Sequence, residues 1–422
     1  MRNDLLLGDA MMSTESIDER IGFVVHEPTM WAHYSSVWQV MDPDRFVIIL
    51  TERFRPARAA AVETSAVTFV DKARTAGYHF VFARDLLRER KLCKYAVSNH
   101  RLGGYSLRPA NVPVRTAATA VRLGKRGINA VRALSGHSAR FSASGFAPVQ
   151  YWPLQVGRRQ VRFMYGADIG SGWSLADWNA IYDAFLCHGP NDARELSKRF
   201  RGSTYQMGYP RYDGYFDPNL EVASERAEFA IDSDKPTVLW MPTYGAGACS
   251  IPFFAHALIC LTEHFNLIVR PHPLSFRENP EQIALLRSLG FHVDGDAIRD
   301  MNRLYRIADV VLCDYGGSAF SAIYLGKRMV LLEVPDAAKW YTVRDSSNLE
   351  LARECPSLTP ETVSTLPSIL ANTVYWDIQE SKMTALSGKY FADLRGTSSR
   401  RAADLLLSLD ALLPASSSSR QI

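Results

Sequence analysis

The chain has 422 residues, is 47% hydrophobic and 22% charged, and carries a formal net charge of +4. That length exceeds what one ordinary core supports, and that composition excludes a disordered chain, so two folded domains are expected. A charge so mild does not point to a nucleic-acid partner, and none is expected.

Residues 1–20 contain only a three-leucine run broken by Gly8 and Asp9, too short and too acidic for a signal peptide, and are expected to be disordered. Strand candidates follow in chain order: "IGFVVHE" (21–27), "RFVIIL" (45–50), "YHFVFA" (78–83), "CKYAVS" (93–98), "QVRFMYG" (160–166) and "DAFLCHG" (183–189). A turn-rich polar stretch spans 200–235 and suggests a hinge. Beyond it come "PTVLWMPT" (236–243), "NLIVRPHP" (266–273), "FHVDG" (291–295), "DVVLCDYGG" (309–317) and "RMVLLE" (328–333). Continuous apolar strands alternating with helical patterns such as "PEQIALLRSLG" indicate buried parallel sheets. The fold class expected is α/β, with two doubly wound Rossmann-like domains and a cleft between them. The first spans 21–205 and the second 206–408, with a flexible tail over 409–422. A long helix, "SRRAADLLLSLDALL", is expected to cross back to the first half.

Cys93, Cys187, Cys249, Cys260, Cys313 and Cys355 form no C-x-x-C pair and sit mostly in apolar runs. They read as reduced core thiols of a cytosolic protein. No apolar stretch approaches the ~18 residues that a membrane span needs. There is no D-x-D at the strand ends and no His/Cys ligand spacing, so neither metal nor cofactor is expected.

One span differs from the rest. Between Glu89 and Asp168 there is no acidic residue, yet there are fourteen basic ones, Arg90, Lys91, Lys94, Arg101, Arg158, Arg159 and Arg162 among them. Within it, Val114, Ala117, Val121, Ile128, Val131 and Leu134 recur at helical spacing, with Arg115, Arg122 and Arg126 on another face. An amphipathic basic helix can lie on an anionic membrane, and it can equally be an ordinary surface helix; Gly124 and Gly127 weaken it.

In doubly wound sheets ligands bind beyond the carboxyl ends of the strands, and the chemistry-bearing residues fall there. Thr243 follows one strand. Arg270 and His272 follow the next, held between Pro271 and Pro273 in a stiff tip. Asp314, Gly316, Gly317 and Ser318 follow a third and open a helix, where backbone N–H groups suit a phosphate. Each alone reads as a turn or a cap. Together they suggest a pyrophosphate seat, with Arg270 as a clamp and His272 as donor or acid.

"MGYPRYD" (207–213), "TVLWMPTY" (237–244), "IVRPHP" (268–273), "ADVVLCDYGGSAFSAIYLGKRMVLLE" (308–333) and "KYFADLRGTSSRRAADLLL" (389–407) resemble the C-terminal half of CDP-glycerol glycerophosphotransferases of the teichoic-acid and capsule type. The resemblance implies a GT-B fold. It implies transfer of glycerol phosphate or a related polyol phosphate from a CDP-activated donor to a polymer or lipid-linked acceptor. It also implies peripheral attachment to the cytoplasmic face of the membrane, which the basic 90–167 span suits. By position it puts Arg211, Thr243, Arg270, His272 and the "DYGGS" loop at the donor. "FMYGAD" stands where the family has a Trp-His-Gly stretch, so Tyr165 replaces its histidine. The base is then open among Asp168, His188, His26 and His33, with Asp168 the first choice. Two other readings share the scaffold: a sugar-nucleotide glycosyltransferase or epimerase, for which Glu333 is the one candidate sugar-gripping carboxylate, and a non-catalytic binding protein.

Overall fold

The computed structural model describes residues 14–413 apart from 52–53, 55–59, 104–150, 168–173, 246, 297, 341–342 and 345. The described residues form two wholly parallel sheets. The first contains β1 (Ile21–Val25), β2 (Phe46–Leu50), β3 (Phe80–Phe82), β4 (Cys93–Ser98), β5 (Gly157–Phe163), β6 (Ala184–Cys187) and β7 (Ser203–Gln206), in the order β3-β2-β1-β4-β5-β6-β7. The second contains β8 (Thr237–Met241), β9 (Asn266–Val269), β10 (His292–Val293), β11 (Val310–Cys313), β12 (Arg328–Leu332) and β13 (Ser357–Leu358), in the order β10-β9-β8-β11-β12-β13.

Every residue of β1, β2, β6 and β11 is buried. Strands covered on both faces read as unbroken apolar runs, so these were legible in sequence. β7 and β13 carry no such run: "STYQ" is half-buried and β13 is a two-residue edge. Chain order reverses between β1 and β4, paired Ile21 to Tyr95, and between β8 and β11, paired Val238 to Val310. A crevice opens at the carboxyl end of each such switch point.

The helices of eight or more residues are α1 (Trp31–Trp38), α2 (Ala60–Thr75), α3 (Pro190–Ser197), α4 (Ile251–Ile259), α5 (Pro280–Ser288), α6 (Gly317–Tyr324), α7 (Thr373–Tyr390) and α8 (Ser398–Leu407). None of the described helices is long and apolar enough to cross a membrane. The expected long C-terminal helix is broken at Ser408 and resumes for one turn, Leu409–Leu412. The break lets Asp410 accept from Tyr95 Oη (2.8 Å) and pair with Lys94 Nζ (2.7 Å). Ala402, Leu405, Leu406 and Leu409 are buried in the core of the first sheet, so the C-terminus does return to the first half.

The chain passes from one core to the other between Met207, buried in the first, and Tyr209, buried in the second. Gly208 between them has φ +78°, and a Cβ there would meet Ser398 Oγ at 2.2 Å and Leu394 Cβ at 3.0 Å. Ser398 Oγ accepts from Tyr209 N (3.0 Å) and donates to Leu394 O (2.8 Å), so it has little room to yield. Gly208→Ala is therefore expected to cost at least the ~1–2 kcal/mol of left-handed backbone. That lowers the melting temperature by ~2–4 °C for each kcal/mol, read by calorimetry.

Candidate functional site

The loop after β8 is held by one carboxylate. Asp314, at the end of β11 and fully buried, accepts from Thr243 N (2.8 Å), Ser250 N (2.8 Å) and Ser250 Oγ (2.8 Å). Burial pushes its pKa up to about 7 against the pull of those donors. Asp314 thus organises the site from beneath. Gly316 lies against Thr243, where a Cβ would come within 3.1 Å of Oγ1. It precedes α6, whose first residues are Gly317 and Ser318; Ser318 Oγ donates to Met241 O (3.4 Å). Thr243, Gly316, Gly317 and Ser318 therefore form one cradle at the switch point between β8 and β11.

His272 borders this cradle. Its Nδ1 accepts from Leu274 N (3.1 Å), which leaves the ring proton on Nε2. Burial, then Arg270, lowers its pKa to about 4, so at neutral pH the ring is an uncharged Nε2–H donor. The Tyr244 ring lies 4.6 Å from it. Arg270 does not stand as an open clamp. It is 8% exposed and paired through Nη1 with Asp294 (2.9 Å), a buried carboxylate shared with Arg299 (3.1 Å). Asp294 had no local signal in the sequence; only the pairing of β9 with β10 brings it to Arg270. Glu333 accepts from Ser357 Oγ, which already occupies the one candidate sugar-gripping carboxylate.

Across from these residues lies the end of the first sheet. Arg211 sits on the 3-10 turn Pro210–Phe216 with its guanidinium over the Tyr212 ring (5.1 Å). α1 packs against this turn. It carries His33, which lies in the first turn of the helix rather than on the preceding loop. His33 and Tyr165 have ring centroids 5.0 Å apart, and Tyr165 O accepts from Tyr209 Oη (3.2 Å). His188 is sealed: it is 0% exposed, its Nδ1 lies 2.8 Å from Asp192, and its ring packs edge-on against Tyr209. His26 Nδ1 is bonded to Thr51 Oγ1 (2.8 Å). Asp168 lies outside the described residues.

The basic span is less free than its sequence reads. Lys94 pairs with Glu19 (3.3 Å) and Asp410, and Arg158 with Asp18 (3.0 Å). Arg162 is 1% exposed, donating to Ser174 O (2.7 Å) and lying over Trp178. Arg115, Arg122 and Arg126 lie outside the described residues.

Asp314→Asn would present an amide N–H₂ to donors that need an acceptor. Leaving a buried donor unmet costs ~1–3 kcal/mol. The variant should melt several degrees lower by differential scanning fluorimetry. An unchanged melting temperature would mean that Asp314 does not hold the loop.

Residues 182–408, more than half of the chain, match the profile of the family described as CDP-Glycerol:Poly(glycerophosphate) glycerophosphotransferase. The chain is 25% identical over 190 residues to the teichoic acid poly(glycerol phosphate) polymerase of Bacillus subtilis (strain 168), covering 40% of this chain and 24% of that protein. The chain thus matches about a quarter of that relative's length. Among solved structures it superposes on the wall teichoic acid polymerase TagF with a TM-score of 0.56 and 13% identity, covering 96% of this chain and 92% of that one. It superposes on a UDP-N-acetylglucosamine 2-epimerase with a TM-score of 0.52 and 12% identity, covering 95% and 100%. At such identities the likeness is one of fold, and the expected GT-B-like fold is the fold of the chain.

Proposed function

We propose, from the premise that the chain belongs to the CDP-glycerol:poly(glycerophosphate) glycerophosphotransferase family, that it transfers glycerol phosphate, or a related polyol phosphate, from a CDP-linked donor to a cell-surface polymer or lipid-linked acceptor. The observation that carries this reading is where the family match falls. Residues 182–408 contain Arg211, Thr243, Arg270, His272, Asp314 and the Gly316–Gly317–Ser318 turn; Thr243, Asp314 and that turn meet at the switch point between β8 and β11, with Arg270 and His272 at the end of the adjacent β9. The half over 206–408 takes the donor nucleotide, and the half over 21–205 takes the acceptor.

In the reaction the acceptor hydroxyl oxygen attacks the donor phosphorus that bears the polyol. The bond from that phosphorus to the bridging oxygen breaks, and CMP leaves with the electron pair. The amides of Gly316, Gly317 and Ser318 and the Nε2–H of His272 donate to the phosphate oxygens as charge builds. A neutral imidazole donor keeps its proton through the step, as a ring with a pKa of about 4 requires. Arg270, already balanced by Asp294, contributes orientation more than net charge. The acceptor proton goes to a base on the first-half side, for which Asp168 was the candidate in sequence.

The donor is identified by thermal shift and CMP release. CDP-glycerol or CDP-ribitol should raise the melting temperature and, with an acceptor, release CMP. UDP-N-acetylglucosamine should do neither; a shift with the UDP-sugar alone would replace this reading with that of a sugar-nucleotide enzyme. Loss of one preorganised donor to a developing charge costs ~10²–10³-fold in turnover. His272→Ala should lose that much, and normal turnover in it would remove His272 from the mechanism.

The acceptor is placed at an anionic membrane surface on the cytoplasmic side, on the strength of the acid-free span between Glu89 and Asp168. Binding to phosphatidylglycerol vesicles should weaken as salt rises, since surface charge is screened over ~10 Å at 0.1 M. Reversing Arg115, Arg122 and Arg126 together should weaken it further. No binding at low salt would assign the span to a polyanionic acceptor instead.

A further inference from the structure

We propose that His33, on α1, is the base that takes the proton of the acceptor hydroxyl. The inference rests on the phosphotransfer reading above and names the residue that reading leaves open.

The reaction needs a proton acceptor within ~3 Å of the hydroxyl, or one water away, that is not already spent within the protein. The other described candidates at this end of the cleft are committed. His272 is on the phosphate side, with Nδ1 engaged by Leu274 N. His26 is bonded to Thr51. His188 is 0% exposed beneath Tyr209 and Phe391, with Nδ1 on Asp192. A phenol such as Tyr165 titrates near ~10 and stays protonated at neutral pH.

His33 differs from these in combining an unmet nitrogen with access: its Nδ1 is buried without a hydrogen-bond partner, as is Nε2 of His188, but His188 is fully buried whereas the His33 side chain is partly exposed. Buried polar atoms are rarely left unmet, and an unmet one at a cleft marks a place a ligand fills. The ring lies where the two halves meet, because α1 packs on the turn that carries Arg211. The groups that act on it come from every side of the cleft: Tyr165 beyond β5, His188 beyond β6, Arg211 on the 3-10 turn and His272 beyond β9. Burial, then Arg211, His188 and His272, hold its pKa well below the ordinary value, so the ring is in its neutral, proton-accepting form at pH 7. A low pKa also makes it a weak base in the empty cleft. The incoming donor acts on the second of these causes: its phosphate charge offsets Arg211 and so raises the basicity of His33 when the acceptor is to be deprotonated.

The test measures CMP release from CDP-glycerol with a short glycerol phosphate oligomer as acceptor, in the full chain. His33→Gln should lower kcat by ~10²–10⁴-fold while the KM for CDP-glycerol and the donor-induced thermal shift stay unchanged. The wild type should lose kcat as pH falls through the His33 pKa of the donor complex; His33→Gln should lack that limb. Because the rings are 5.0 Å apart, the double variant His33→Gln/Tyr165→His returns an imidazole beside the vacated place and should recover part of the rate. A His33→Gln enzyme at the wild-type rate, with Asp168→Asn inactive, overturns the assignment and gives the proton to Asp168. A wild type that releases no CMP from CDP-glycerol overturns the phosphotransfer reading itself.

Discussion

The arrangement of the molecule depends on one carboxylate at a helix end. Asp213 accepts from Ser398 N (3.1 Å) and Ser399 N (2.5 Å), the first amides of α8. An N-terminal cap of this kind is worth ~0.5–2 kcal/mol, and negative charge suits the positive end of the helix dipole. Its importance here lies in what it joins. Asp213 belongs to the turn that carries Arg211, while α8 is buried in the core of the first sheet. One short contact therefore fixes the turn of Arg211 to the half built on the first sheet. α1 packs on both the turn and α8, so His33 takes its place from the same joint. Ser398 adds a second tie through Tyr209 N, which is why the passage between the halves needs a glycine at 208.

With the halves held together, burial is the leading influence on the imidazoles at their junction. His33 and His272 are both pushed toward the neutral form, with burial the leading cause in each. Burial lowers the proton affinity of Arg270 and Asp294 opposes that; Asp294 is itself balanced by Arg299, which pairs onward to Glu228 (2.5 Å). A buried ion pair of this sort adds little stability on its own, because desolvation offsets most of the attraction. Its effect is geometric: the guanidinium cannot swing out, and the cleft shows an anionic donor a fixed row of donors rather than a mobile charge. Asp314 does the same for the neighbouring loop of the same sheet by collecting the amides of Thr243 and Ser250.

The two sheets were legible in the sequence because both are parallel and covered on each face, so their central strands are unbroken apolar runs. Of the edges, β3 and β10 fall within "YHFVFA" and "FHVDG", but β7 and β13 were not legible: β7 is polar and half-buried, and nothing in "STYQ" marks a strand. The glycine-rich turn at 316–318 and the stiff tip at 270–273 could be read because their backbone chemistry is local. The partners of those residues could not. Asp294 reaches Arg270 through strand pairing, and His33 reaches Arg211 through the packing of α1 on a turn 178 residues away in the chain. The acid-free span shows the same limit: of its described members, Lys94 and Arg158 find Asp18, Glu19 and Asp410 from outside it, and Arg162 is buried, none of which the span itself announces.

The same packing gives the cleft an order of events. Without a donor, burial and then the charge of Arg211 depress the proton affinity of His33, and the ring is a poor base. A donor brings negative charge to the side where Arg211 and His272 lie, and that charge acts on a largely buried imidazole, where a charge at short range has a strong effect. The base thus gains strength when the donor is seated. An acceptor hydroxyl, or a stray water, that enters first meets an imidazole with little pull on its proton. On the proposed reading, the residues assigned to the phosphate and the one assigned to the proton are coupled through charge although they come from different halves of the chain.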